Sequence, residues 1–236
     1  MTEKSYFNNE YLLQIKDNYK KIADNINSAV NKAGRTDKVR LMAVTKTVPF
    51  EIVNYSASLG IELLGENRVQ EFLGKYEHYD KKCQVHFIGR LQSNKVKYII
   101  DKVSMIHSVD SVKLADEIDR RCQVSGRKMD ILIEVNIGNE ENKSGVPTDE
   151  VSRLAEHCLS LPNIILKGFM AIPPIDIDGS SCKFFERMER IYNDYRCKFG
   201  EQIDTLSMGM SADYANAVMY GANIVRIGSA LFGRRS

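Results

Sequence analysis

Two clusters of residues have types and spacing suited to chemistry, and they lie near opposite ends of the chain. The first is Leu41-Met42-Ala43-Val44-Thr45-Lys46-Thr47, an apolar run that closes on a lysine. If the run is a β-strand, Lys46 stands at its C-terminal end and points into the mouth of a parallel sheet or barrel. An amine held away from bulk water loses its proton more easily, and the neutral form condenses with an aldehyde to a Schiff base. The plain alternative is a strand-end lysine whose ammonium reaches solvent.

The second cluster comprises Ser207-Met208-Gly209-Met210-Ser211, followed by a predicted helix over Ala212–Tyr220, and Arg226-Ile227-Gly228-Ser229. Backbone N–H groups at a helix start, serine hydroxyls and an arginine together suit a phosphate, and a glycine lets the backbone approach closely. The same letters also fit a capped helix after a tight turn. Taken together, the clusters specify a ligand with both a carbonyl and a phosphate. Pyridoxal 5′-phosphate (PLP) fits, and so does a phosphorylated sugar in a Schiff-base aldolase.

The elements that must position these residues follow from periodicity. Residues 6–32 carry Leu12, Ile15, Tyr19, Ile22, Ile26 and Val30 at three- and four-residue steps, with Gly34 beyond as a stop, which predicts one amphipathic helix. Eight strands are predicted after it, at Val39–Thr47, Ile61–Glu66, Gln84–Arg90, Met105–Val109, Ile131–Ile137, Ile165–Ala171, Thr205–Met210 and Ile224–Ile227. Every interval leaves room for a crossover helix, including Pro49–Leu59, Ser111–Val124, Thr148–Leu159 and Lys183–Phe199. Ser111 and Thr148 are the predicted caps of two of these. Eight βα units in about 200 residues favour a closed (β/α)₈ TIM barrel over an open doubly wound sheet. Residues 1–36 then form an extra N-terminal helix and residues 37–236 the barrel, all one domain. In such folds ligands sit beyond the C-terminal ends of the strands, where both clusters fall.

Composition narrows the class. With 33 basic and 31 acidic residues the net charge is only +2, and the signs are mixed along the chain, so neither nucleic acid nor a membrane is an expected partner. The five cysteines, Cys83, Cys122, Cys158, Cys182 and Cys197, are widely spaced, as suits reduced thiols in a cytoplasmic protein. The polar start and the absence of a long apolar run point the same way. The four histidines show no metal-ligand spacing. His86 and His107 lie inside predicted strands and read as satisfied barrel residues; His78 and His157 read as surface or helix positions. No metal is expected. Residues 138–147 and 173–181 are the longest predicted loops, and Arg90, Lys95 and Lys97 read as a basic crossover-helix surface.

Eight segments together resemble one family. They are Ala43-Val44-Thr45-Lys46, Gly65-Glu66-Asn67-Arg68-Val69-Gln70-Glu71, His86-Phe87-Ile88-Gly89-Arg90-Leu91-Gln92-Ser93-Asn94-Lys95 and His107-Ser108-Val109-Asp110. Then come Glu134-Val135-Asn136-Ile137 with Lys143-Ser144-Gly145, and Gly168-Phe169-Met170-Ala171-Ile172. The last are residues 206–213 and Val225-Arg226-Ile227-Gly228-Ser229-Ala230-Leu231-Phe232-Gly233. In this order they resemble the PLP homeostasis protein family, one-domain relatives of the alanine racemase N-terminal barrel.

The resemblance implies that PLP is held as a Schiff base (aldimine) on Lys46, with Ser211, Arg226, Gly228 and Ser229 around its phosphate and Asn67 and Met210 near the ring and phosphate arm. It implies a monomeric role in PLP storage, delivery or buffering, with PLP-dependent apo-enzymes as recipients and little turnover. An amino-acid racemase of narrow activity is the alternative. Racemases of the related fold take a second base from a C-terminal domain for which this chain leaves no residues, unless Tyr214 or another barrel residue serves.

Overall fold

In the computed structural model, residues 8–174 and 181–233 are described; residues 6–7 of the predicted helix, most of the predicted 173–181 loop and residues 234–236 lie outside them. Eight parallel strands close a barrel in the order β1 to β8: Arg40–Val44, Leu63–Glu66, Gln84–Phe87, Met105–Val109, Met129–Val135, Ile164–Ala171, Thr205–Ser207 and Ile224–Ile227. β1 closes the ring by pairing with both β2 and β8. Helices follow the strands: α2 (Phe50–Ser58), α3 (Val69–Lys75), α4 (Val96–Ile99), α5 (Val112–Ser125), α6 (Val151–Ser160), α7 (Ser181–Phe199), α8 (Tyr214–Met219) and α9 (Ser229–Phe232).

The strands are apolar on both faces because a parallel barrel is covered outside by helices and filled inside by side chains. One large core lies between strands and helices and includes Ala43, Leu64, Phe87, Ile106, Ile131 and Phe169. Alternate residues form two smaller clusters in the lumen, one of Met42, Val44, Leu63, Ile88 and Ile224, the other of Met105, Leu132 and Met170. His86, His107, Ser207, Glu134 and Arg226 are buried as well. Polar groups therefore interrupt the apolar filling.

The N-terminal helix, α1 (Asn9–Lys32), starts on Asn8, whose Oδ1 accepts the Glu10 N–H at 3.1 Å. It buries Ile15, Ile22, Ile26 and Ala29 and packs beside α8, α9 and α2 on the outside of the barrel. The Tyr11 hydroxyl donates to Phe232 O, Asn18 Nδ2 to Leu231 O and Asn25 Nδ2 to the Tyr214 hydroxyl, at 2.9, 3.0 and 2.9 Å. Polar anchors thus fix the helix against the last βα units.

Several predicted boundaries differ. β1, β3 and β7 end three residues early and β5 two, since their last predicted residues turn into the loops at the mouth. Neither predicted cap makes a side-chain capping bond: Ser111 Oγ donates to Asp110, and α6 opens after Glu150, beyond Thr148.

Candidate functional site

Lys46 stands two residues beyond Val44, whose register partner on β2 is Gly65; Asn67 stands two beyond Gly65, so the two side chains leave neighbouring strands at one level. On the other side, Ala43 pairs with Ile227, and Gly228 and Ser229 follow directly. The closed barrel therefore gathers the two ends of the sequence at the C-terminal end of β1.

Lys46 occupies a tight turn closed by the Val48 N–H donating to Thr45 O at 3.0 Å. Thr47 takes φ 61°, a left-handed conformation that costs a β-branched residue free energy and persists only where neighbours enforce it. Its N–H donates to Glu71 Oε1. The Lys75 ammonium donates to Thr45 O at 2.9 Å and pairs with Glu71 at 2.9 Å and with buried Glu66 at 3.3 Å. The Thr45 hydroxyl donates to Glu66 Oε1 at 2.6 Å, and the Tyr79 hydroxyl donates to the same oxygen. Burial, then the Glu66 charge, push the Tyr79 phenol well up, so it remains a donor. Both neighbours of Lys46 are pinned, while Lys46 itself is exposed. This corrects the expected burial of the lysine: the turn around it is held, but the residue itself is exposed.

The phosphate-like cluster differs from expectation in one respect. α8 begins at Tyr214, is six residues long and is preceded by Asp213, whose carboxylate accepts the Met210 N–H at 2.6 Å. The carboxylate thus turns back onto the preceding loop and makes no capping bond to the helix. Ser211 Oγ accepts from Gly228 N–H and Ala230 N–H at 3.3 and 3.1 Å, tying the β7 loop to the β8 loop. Among the described residues, no acceptor takes the N–H groups of Ser211, Ala212 or Ser229. Gly209 has φ 87°, and a Cβ there would lie 2.5 Å from Ala217 Cβ, so only glycine folds this loop onto α8.

Arg226, on β8, is 4% exposed. Its guanidinium is buried in the barrel, with Nη1 donating to Ser207 O and Oγ at 2.8 and 2.9 Å and Nη2 to Ala171 O at 2.9 Å. Burial pulls its pKa down to about 10, against the pull of Glu134 and Asp213. Glu134, on β5, is pushed up to about 7 by burial and by Asp110, opposed by Arg226 and Arg90. Asn67 Oδ1 is buried without a partner, and its backbone is approached so closely that a Cβ on Gly89 would lie 2.1 Å from Asn67 O. Met210 is exposed on its loop at the mouth. Arg90, Gln92 and Lys95 line a cleft of about 420 Å³ together with Asn67, Arg68 and the first residues of α3.

The histidines are as read. His86 Nδ1 and His107 Nε2 lie 2.9 Å apart inside the barrel, His78 is exposed against Phe50, and His157 pairs with Asp116. Tyr214 is turned outward to Asn25 and offers no base at the mouth. Sequence reasoning missed Glu66, Glu71, Lys75 and Tyr79 as supports of Lys46. The Glu71/Lys75 i,i+4 spacing was the only local signal.

The model of the alanine racemase N-terminal domain matches residues 18–236. A pyridoxal phosphate homeostasis protein of Aquifex aeolicus is 42% identical over 218 residues, covering 91% of this chain and 96% of that protein. This chain belongs to the pyridoxal phosphate homeostasis protein family. Within this family's fold, a structure of a protein from Bifidobacterium adolescentis is similar with a TM-score of 0.91 and 32% identity, covering 96% of this chain and 97% of that one. The structure of PipY from Synechococcus elongatus with PLP bound is similar with a TM-score of 0.80 and 26% identity, over 93% of this chain and 100% of that one. The barrel of this family member is the expected (β/α)₈ barrel.

Proposed function

We propose that this protein binds PLP at the barrel mouth and serves PLP homeostasis, holding and releasing the cofactor with little turnover. The reading is carried by one juxtaposition. A turn braced on both sides places Lys46 beyond β1 at the same level as Asn67 beyond β2, whose Oδ1 is buried without a partner, and beside the β8 strand whose loop carries Gly228 and Ser229.

The donor set fits the cofactor. Lys46 is the group to hold the aldehyde through a Schiff base, and Ser211, Gly228 and Ser229 offer backbone and hydroxyl groups to the phosphate. Asn67 and Met210 flank the space between. Arg226 is best assigned to the ring and not to the phosphate, because its guanidinium is anchored inside the barrel by Ser207 and Ala171. PLP supplies an electron sink for a bound amine; a cation next to the ring nitrogen would weaken that sink. Such an arrangement suits holding the cofactor more than transforming substrates on it. An exposed Lys46 also keeps the attachment within reach of water and of acceptor amines, as release to PLP-dependent apo-enzymes requires. The protein acts as a cytoplasmic monomer in this reading.

PLP titration followed by the absorption spectrum, borohydride reduction and peptide mapping tests the proposal. A saturable yellow species with the pyridoxyl group on Lys46 alone is expected. A colourless protein, or label spread over surface lysines such as Lys20 and Lys81, would sink it.

A further inference from the structure

A line of polar side chains crosses the barrel beneath the mouth. From Arg226 on β8 it passes to Ser207 on β7, then to His107 on β4, then to His86 on β3. The steps are 2.9 Å from Nη1 to Ser207 Oγ, 3.1 Å from Oγ to His107 Nδ1 and 2.9 Å from His107 Nε2 to His86 Nδ1. The four residues are at most 4% exposed. Beyond His86 lies a polar cleft of about 380 Å³ at the other end of the barrel, also lined by Arg40, Gln84 and Asp130.

The donor inventory gives this line one direction. A guanidinium only donates, so Ser207 Oγ accepts from Arg226. The hydroxyl has one proton, and its remaining neighbour is His107 Nδ1. If Nδ1 carried a hydrogen, the Ser207 proton would be buried with no acceptor among the described residues, which is costly. His107 therefore accepts at Nδ1, carries its proton on Nε2 and donates it to His86 Nδ1. His86 in turn carries its proton on Nε2. Burial supports neutral rings: it pulls His86 down to about 3 and His107 well below the usual imidazole range. Since arginine does not give up its proton here, the line is a brace and not a proton path.

We propose that Ser207, His107 and His86 are positioning residues for the cofactor, a hydrogen-bond column of single polarity that fixes the Arg226 guanidinium beneath it. The inference rests on the PLP reading for its cofactor half; the polarity of the column stands independently.

Nitrogen NMR of the imidazoles in the unloaded wild-type protein at neutral pH needs no variant. Both rings are expected as Nε2–H tautomers, and an Nδ1–H tautomer or an imidazolium at His107 would overturn the column. PLP titrations of Ser207→Ala, Ser207→Thr, His86→Leu and His86→Asn test the positioning. Ser207→Ala removes a hydrogen bond to a charged group and is expected to weaken PLP about tenfold and shift the absorption band of the bound cofactor. Ser207→Thr restores both. His86→Leu shifts the band as well, whereas His86→Asn, whose Oδ1 replaces the lost acceptor, does not. An unchanged affinity and band in Ser207→Ala and His86→Leu would overturn the positioning role, even if both unfold at lower temperature. Failure of the wild type to bind PLP would remove the reading beneath it, with the tautomers still deciding the column.

Discussion

At the scale of single residues, Lys46 is held by its neighbours and not by its own contacts. Thr45 is fixed through its carbonyl by Lys75 and through its hydroxyl by Glu66, and Thr47 is fixed through its N–H by Glu71. The cost of burying Glu66 is met by the Lys75 ammonium, which also pairs with Glu71 and is itself largely enclosed. Lys75→Met removes that charge and leaves two carboxylates facing each other over the Lys46 turn. Breaking a pair of this kind is expected to destabilise the fold by about 3 kcal/mol. Urea denaturation checks this, and the borohydride label should become less selective for Lys46 in the same variant. In the sequence Lys46 was legible because it ends an apolar run. Its brace was not: Glu66 sits at the end of an apolar strand, and nothing local says that Tyr79, thirteen residues on, donates to it.

At the scale of elements, the β7 and β8 loops behave as one unit. Ser211 Oγ joins them, and Gly209 lets the first fold onto α8. Gly209→Ala places a Cβ against Ala217 and demands a left-handed conformation from alanine. A loss of about 2 kcal/mol is expected from the strain alone, with weaker PLP binding because the displaced loop carries Ser211. A variant with unchanged unfolding and unchanged PLP affinity would show that the loop adapts. The sequence pattern placed this loop after β7 and read it, with the helix start behind it, as a phosphate cradle. In the structure α8 is only six residues long and Asp213 stands at its start. For α1 the apolar spacing was enough to predict a helix. Where it lies, beside α8 and α9 on the outer wall, depended on Tyr11, Asn18 and Asn25 finding partners about two hundred residues away.

At the scale of the whole molecule, the lumen is a mixed interior whose polar groups titrate together with folding. Glu134 illustrates the sign. Burial favours its neutral acid, so the folded chain keeps this proton up to about pH 7, while the unfolded chain releases it near the ordinary glutamate value of 4.5. The folded state thus binds more protons between those values. The contribution of Glu134 is fully present below about 4.5 and is lost as pH rises through about 7. Glu134→Gln should therefore gain stability relative to the wild type between pH 5 and pH 8, by about 3 kcal/mol at most. Chemical denaturation at both values checks it, and a constant difference would mean that Glu134 is ionised within the fold. His86 and His107 act oppositely: held neutral, they oppose folding once acid protonates them in the unfolded chain.

The sequence by itself determined the architecture and the identity of the chemical groups. Eight apolar runs with room for crossovers leave few arrangements other than a closed barrel, because parallel strands need right-handed connections and covered faces. Strand-end positions for Lys46, Ser211 and Gly228 follow from the same pattern. Only the tertiary structure decided what those groups touch. Closure of β1 onto β8 sets the ends of these two strands, which precede Lys46 and Gly228, side by side, and packing across the lumen joins Arg226, Ser207, His107 and His86. Those contacts depend on strand register and on which face each residue takes around the ring. Local sequence carries period and polarity but no information on which distant residue stands opposite.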